Sequence, residues 1–154
     1  MNIEVKTLPA MRLAAVRHSG PYHLIGPAFD QLGRLAGPAG LFAQPGAMML
    51  GIYKDDPGTT APEKLRSAAA VVISEEAALP AGLVEERVEG GRFACVMHLG
   101  SYEQLPATWE QIKAALTPAD GYRRRPGGSY EIYWNNPDQV PPDALKTEIC
   151  IPIE

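Results

Sequence analysis

The chain has 154 residues, 45% hydrophobic and 21% charged, with a net charge of −4 and a sequence pI near 5.4. A domain of this length buries about 70% of its unfolded surface and needs no covalent staple, and the acidic balance excludes broad contact with nucleic-acid phosphates. Glu4, Lys6, Arg12 and Arg17 break up the amino-terminal stretch, which rules out a signal peptide or membrane span and leaves the cytoplasm as the expected compartment.

Residues 2–8 are predicted as a short strand, followed after Pro9-Ala10 by an apolar strand over 11–18 that runs up to Gly20. A helix is predicted over 22–36, with Ile25, Phe29, Leu32 and Leu35/Ala36 on one stripe, stopped by Gly37-Pro38. A Gly/Pro-rich loop leads to a strand near 47–54, and Asp-Pro punctuation precedes a strand over 66–73. Residues 74–81 (SEEAALPA) read as a surface connection. The pattern then starts again: strands at 82–88 and 91–99, a helix at 103–116 with the stripe Leu105, Trp109, Ile112 and Leu116, and strands at 129–135 and 146–153.

The recurrence is a repeat at a constant offset of 80. Arg12, Ala14, Val16, His18, Gly20 and Tyr22 match Arg92, Ala94, Val96, His98, Gly100 and Tyr102. The same offset carries GIYKDDP (51–57) onto EIYWNNP (131–137), LRSAAAVVI (65–73) onto LKTEICIPI (145–153), and Phe29 onto Trp109. The expectation is an α+β protein: one domain over 1–154, made of two pseudo-symmetric β-β-α-β-β repeats, 1–74 and 81–154. One repeat alone has too little core, so the two are expected to share a sheet.

A pocket on the pseudo-two-fold would be lined by equivalent positions, so departures from symmetry show where one copy is specialised. The sharpest is Gly51 against Glu131. Strand alternation puts Glu131 and Tyr133 on one face, with Tyr130, Ile132 and Trp134 on the other; Gly51 and Tyr53 share the corresponding face of the first copy. A carboxylate beside aromatic rings suits an organic cation, through charge and cation–π contact, and a strand glycine leaves room. The alternative is an edge strand on which Glu131 is simply solvated. Tyr22 and Tyr102 either cap a sheet edge or reach the pocket.

The remaining candidates are weaker. His18 and His98 occur in both copies, which favours a shared structural role. Trp109 reads as core, Trp134 as core or surface packing, and Asp55-Asp56 beside Pro57 as a turn. Arg123–Arg125 read as a solvated loop or a pocket rim. Cys95 and Cys150 lie in apolar strand-like runs and read as buried thiols; no Cys/His spacing matches a zinc site.

The ordered pieces VRHxGPY (16–22), DDP (55–57) followed by PEKLR (62–66), GGRFA (90–94), HxGxY (98–102), YEIY (130–133) and TxIxIP (147–152) resemble the GyrI-like family, also described as the effector-binding domain of AraC-type regulators. Ser101 stands where that family often has proline. The resemblance covers almost the whole chain. It implies a concave antiparallel sheet with helices on one side, and a central cleft for hydrophobic or cationic compounds with Glu131 as acidic contact. Tyr133, Tyr53, Gly51, Tyr22 and Tyr102 are the other expected ligand-binding positions. No cofactor or metal is expected, and no direct nucleic-acid or membrane partner. Because residue 2 already begins the domain, control of transcription by this chain alone is not expected. The family includes drug-binding proteins, hydrolases that open cyclopropane-bearing genotoxins, and a DNA gyrase inhibitor. Three readings follow: a stand-alone binding protein, a hydrolase with Glu131 as general base and Tyr133 assisting, or an inhibitor acting on a protein such as gyrase.

Overall fold

The computed structural model describes residues 1–154. Its elements are β1 (Glu4–Leu8), β2 (Met11–Ser19), α1 (Gly26–Ala36), β3 (Met49–Tyr53), β4 (Arg66–Ile73), β5 (Val84–Val88), β6 (Gly91–Leu99), α2 (Leu105–Ala115), β7 (Ser129–Tyr133) and β8 (Lys146–Pro152). The class is α+β, with antiparallel pairing within each of two compact units. The N-terminal unit is Ala10–Glu89; the C-terminal unit is Gly90–Glu154 together with Met1–Pro9. No helix is long and apolar enough to cross a membrane.

Each unit is a four-stranded sheet with one helix on one face. The order is β3-β4-β2-β5 in the N-terminal unit and β1-β6-β8-β7 in the C-terminal unit. The compact units differ from the sequence repeats by an exchange of first strands. β1 pairs with β6, Glu4 opposite Cys95, and β5 pairs with β2, Val84 opposite Ala15. The backbone explains why β1 does not fold onto β2. Only Pro9-Ala10 separates them, and a two-residue hairpin needs positive φ in its turn. Proline is locked near −65°, and no non-glycine residue here has positive φ.

Alternation along the strands directs one set of side chains to the helix. In the N-terminal unit Ala14, Ala69, Val71 and Ile73 pack against Ile25, Ala28, Leu32 and Ala36. In the C-terminal unit Ala94, Val96, Ile149, Ile151 and Ile153 pack against Leu105, Ile112 and Leu116. Both helices start later than the predicted spans, 22–36 and 103–116. Tyr22–Leu24 and Tyr102–Gln104 form 3-10 turns, and the α-helices begin at Gly26 and Leu105. Pro27 and Pro106 lack the N–H that would bond back into those turns, so regular α-helix cannot extend further upstream.

The strand-to-helix corners are built alike. Gly20 and Gly100 take φ of 115° and 128°, which a side chain rarely permits, and their N–H groups donate to Leu65 and Leu145 carbonyls. His18 Nε2 lies 3.1 Å from Pro21 O, and His98 Nε2 3.0 Å from Ser101 O. Both imidazoles strap the corner, the shared structural role expected of a repeated residue.

Candidate functional site

The helix face of the C-terminal unit carries an acid where the core would otherwise be apolar. Glu131, in the middle of β7, pairs with Ile149 of β8 and is only 4% exposed, so it is not a solvated edge residue. Two neutral donors hold its oxygens apart. The Trp109 indole N–H donates to Oε2 at 2.6 Å, and the Tyr133 hydroxyl donates to Oε1 at 2.7 Å. Trp109 reaches it from α2, one turn before the buried Ile112; Tyr133 reaches it from two residues further along β7.

Tyr102, on the turn before α2, closes the group. Its ring meets that of Tyr133 edge-on, with centroids 5.8 Å apart. Burial pushes the Tyr102 hydroxyl pKa up, and the nearby Glu131 charge adds to the rise. The arrangement is a buried carboxylate that accepts from Trp109 and Tyr133 and is bordered by three aromatic rings. Each carboxylate oxygen can accept more than one hydrogen bond. Such a group can receive a cation or a further proton donor.

The equivalent face of the N-terminal unit keeps the rings and has no acid at the matching position. Tyr22 and Tyr53 meet edge-on with centroids 4.9 Å apart, and Phe29 packs with Tyr53 against the same core as Leu32. Gly51 is buried in β3 opposite Ala69. The Tyr22 hydroxyl is tied to the backbone: it donates to Asp55 O at 2.7 Å and accepts from Asp55 N–H at 3.0 Å. Burial raises its pKa as well. Asp56 makes the expected turn, its Oδ1 accepting from Gly58 N–H at 2.8 Å, and Asp55 pairs with Arg66 at 2.9 Å.

Of the predicted site residues, Glu131, Tyr133 and Tyr102 come together in the C-terminal unit, and Tyr22 and Tyr53 in the N-terminal unit. Trp109, read from sequence as core, turns out to be the donor to Glu131. The signal was available in the repeat, since Phe29→Trp109 and Gly51→Glu131 are departures that arrive together: a new acceptor and a new donor. Arg125 also departs from the solvated loop expected of 123–125. Its guanidinium lies 5.0 Å from the Phe93 ring centroid and donates to Ile153 O and Arg92 O.

The fold is that of a class of small-molecule-binding domains. The chain belongs to the GyrI-like small molecule binding domain family, whose model matches residues 1–154. A DNA gyrase inhibitor of Yersinia enterocolitica is 29% identical over 133 residues, covering 81% of each chain. Among solved structures, SAV2435 bound to tetraphenylphosphonium matches with a TM-score of 0.70 at 14% identity, over 100% of this chain and 94% of that one. A hydrolase encoded by lin2189 of Listeria innocua matches with a TM-score of 0.67 at 14% identity, over 99% and 91%. Both structures share the fold.

Proposed function

We propose that this chain is a cytoplasmic binding protein for amphipathic organic cations, with Glu131 as the charge partner and Tyr133, Tyr102 and Trp109 as aromatic contacts. Tyr53, Tyr22 and Gly51 form the corresponding face of the N-terminal unit, proposed as a weaker, acid-free contact for apolar rings. The observation that carries it is an acid, Glu131, buried on the helix face among the rings of Trp109, Tyr133 and Tyr102. A bulky cation about 4 Å from such a carboxylate gains about 4 kcal/mol at an effective dielectric of about 20. Each ring adds about 0.5–2 kcal/mol of cation–π attraction. The tetraphenylphosphonium bound by SAV2435 is a cation of this kind.

The test is calorimetric titration of wild type and Glu131→Gln with tetraphenylphosphonium. Glutamine keeps an acceptor for Trp109 and removes the charge. The variant is expected to bind at least tenfold more weakly, a loss of about 1.4 kcal/mol or more. Equal affinities would remove Glu131 from the site.

A hydrolytic reading is favoured by one specific contact, the 2.7 Å hydrogen bond between the Tyr133 hydroxyl and Glu131. It would let the carboxylate take a proton from water while the phenol assists a leaving group. Product counting with an activated cyclopropane separates the two readings: more than one equivalent of opened product per protein means turnover.

A further inference from the structure

On the sheet face opposite α2, the C-terminal unit gathers two thiols and a carboxylate. Cys95 of β6 and Cys150 of β8 are directly paired, and Glu148 lies two residues before Cys150 on the same strand, hence on the same face. All three are buried, and their ligand atoms lie within 4.8 Å of one another. The backbone bonds Gly100 N–H to Leu145 O and Ile153 N–H to Arg92 O fix the ladder's phase. Counting in from either end puts Cys95 and Cys150 at a non-hydrogen-bonded pair, where Cα atoms approach to about 4.5 Å.

We infer that Cys95, Cys150 and Glu148 form a binding site for a thiophilic d10 divalent cation such as Zn²⁺ or Cd²⁺. The two sulfurs are 3.8 Å apart. Two thiolates each about 2.3 Å from a tetrahedral ion are separated by about 3.8 Å, so the sulfurs already sit at the required bite. Glu148 accepts from Lys6 Nζ at 2.6 Å and from the Trp134 indole at 3.0 Å. These second-sphere donors orient it and leave lone pairs for an ion. The charges balance: two thiolates and Glu148 carry three negative charges, and Lys6 with a divalent ion supplies three positive ones.

Access and coordination number also fit. A recess lined by Asn2, Glu4, Lys6, Cys95, Met97 and Glu148 opens onto the cluster. It gives an entry path and room for a water as fourth ligand. The N-terminal unit is an internal control. At the offset of 80, Cys95, Cys150 and Glu148 correspond to Ala15, Ala70 and Ala68, and Ala15 pairs with Ala70 in the same register. Three ligand residues, two cysteines and a glutamate, replace three alanines as a set.

The test is titration of the full-length, thiol-reduced protein with Cd²⁺, followed by the ultraviolet thiolate-to-cadmium charge-transfer band and by thermal unfolding. The expected result is a band that saturates at one equivalent, a melting temperature that rises with added Cd²⁺, and displacement by Zn²⁺. Cys95→Ala and Cys150→Ala, which install the residues of the other repeat, should each abolish the one-equivalent band. Glu148→Gln should keep it with affinity reduced tenfold or more. No saturable band in reduced wild type would overturn the site, as would an unchanged band in folded Cys150→Ala. So would oxidation of the pair to a disulfide by oxidised glutathione while Cd²⁺ leaves the spectrum unaltered.

Discussion

On the helix face of the C-terminal unit, Trp109 donates to a buried Glu131; at the same two positions the N-terminal unit has Phe29 and Gly51. On the opposite face, the C-terminal unit has Cys95, Cys150 and Glu148 where its counterpart has three alanines. The frame around these positions is shared: the glycine corners, the histidine straps, the edge-on tyrosine pairs and the strand register. The two copies therefore separate what folding requires from what has been added. Both of these sets are polar and complementary, and both fall on the C-terminal unit.

The largest expected effect tests the shared frame. Leu32 and Ile112 are equivalent, buried helix residues, 0% and 1% exposed. Leu32→Ala and Ile112→Ala should each cost about 2–4 kcal/mol in urea unfolding. A negligible cost for one and a full cost for the other would show that the two helices do not do the same job.

Next comes the added polar pair. Trp109→Phe restores the ring of the other unit and removes one donor from a buried carboxylate, at a cost of about 1–3 kcal/mol. In a Glu131→Ala background the same change should cost about 1–2 kcal/mol less, read from a double-mutant cycle. Additive effects would mean that the 2.6 Å hydrogen bond is energetically idle.

A smaller, pH-dependent effect belongs to the N-terminal unit. Glu86 of β5 is 7% exposed and accepts from Arg17 at 2.8 Å and Lys54 at 2.7 Å. Burial alone would raise its pKa, but the bonds from Lys54 and Arg17 outweigh burial and hold it below the ordinary 4.5. A depressed folded value stabilises the protein above the unfolded pKa, and that stability is lost as pH falls through the folded value. Glu86→Gln should therefore lower stability at neutral pH by about 1–2 kcal/mol, discounted because Arg17 and Lys54 can turn toward water. It should also flatten the loss of stability below about pH 4.5. An unchanged acid limb would remove Glu86 from that account.

Much of this was legible in the sequence, for a physical reason. An offset that holds through four segments fixes the order of strands and helix in both copies, and alternation fixes which side chains share a face. Glu131 stood out because an acid in a strand contradicts its repeat partner. The exchange of β1 and β5 was not legible, because alternation fixes which face a strand buries and says nothing about its neighbour. For β1, the short Pro9-Ala10 link, whose fixed φ denies the tight hairpin, keeps it off β2. The contact between Cys95 and Cys150 depends on ladder phase, and Trp109's role on the distance between a helix and a strand. Neither is set by local pattern.

The central claim is that organic cations bind at Glu131 on the helix face. The chain has two tryptophans, and both indole N–H groups are hydrogen-bonded to a glutamate, Trp109 to Glu131 and Trp134 to Glu148 on the opposite face. Titrating ¹⁵N-labelled protein with tetraphenylphosphonium while following the two indole resonances reads the two faces separately. The Trp109 signal should shift saturably and lose that response in Glu131→Gln, while the Trp134 signal stays in place. Saturable shifts at Trp134 with Trp109 unmoved would put the cation on the other face and contradict the claim.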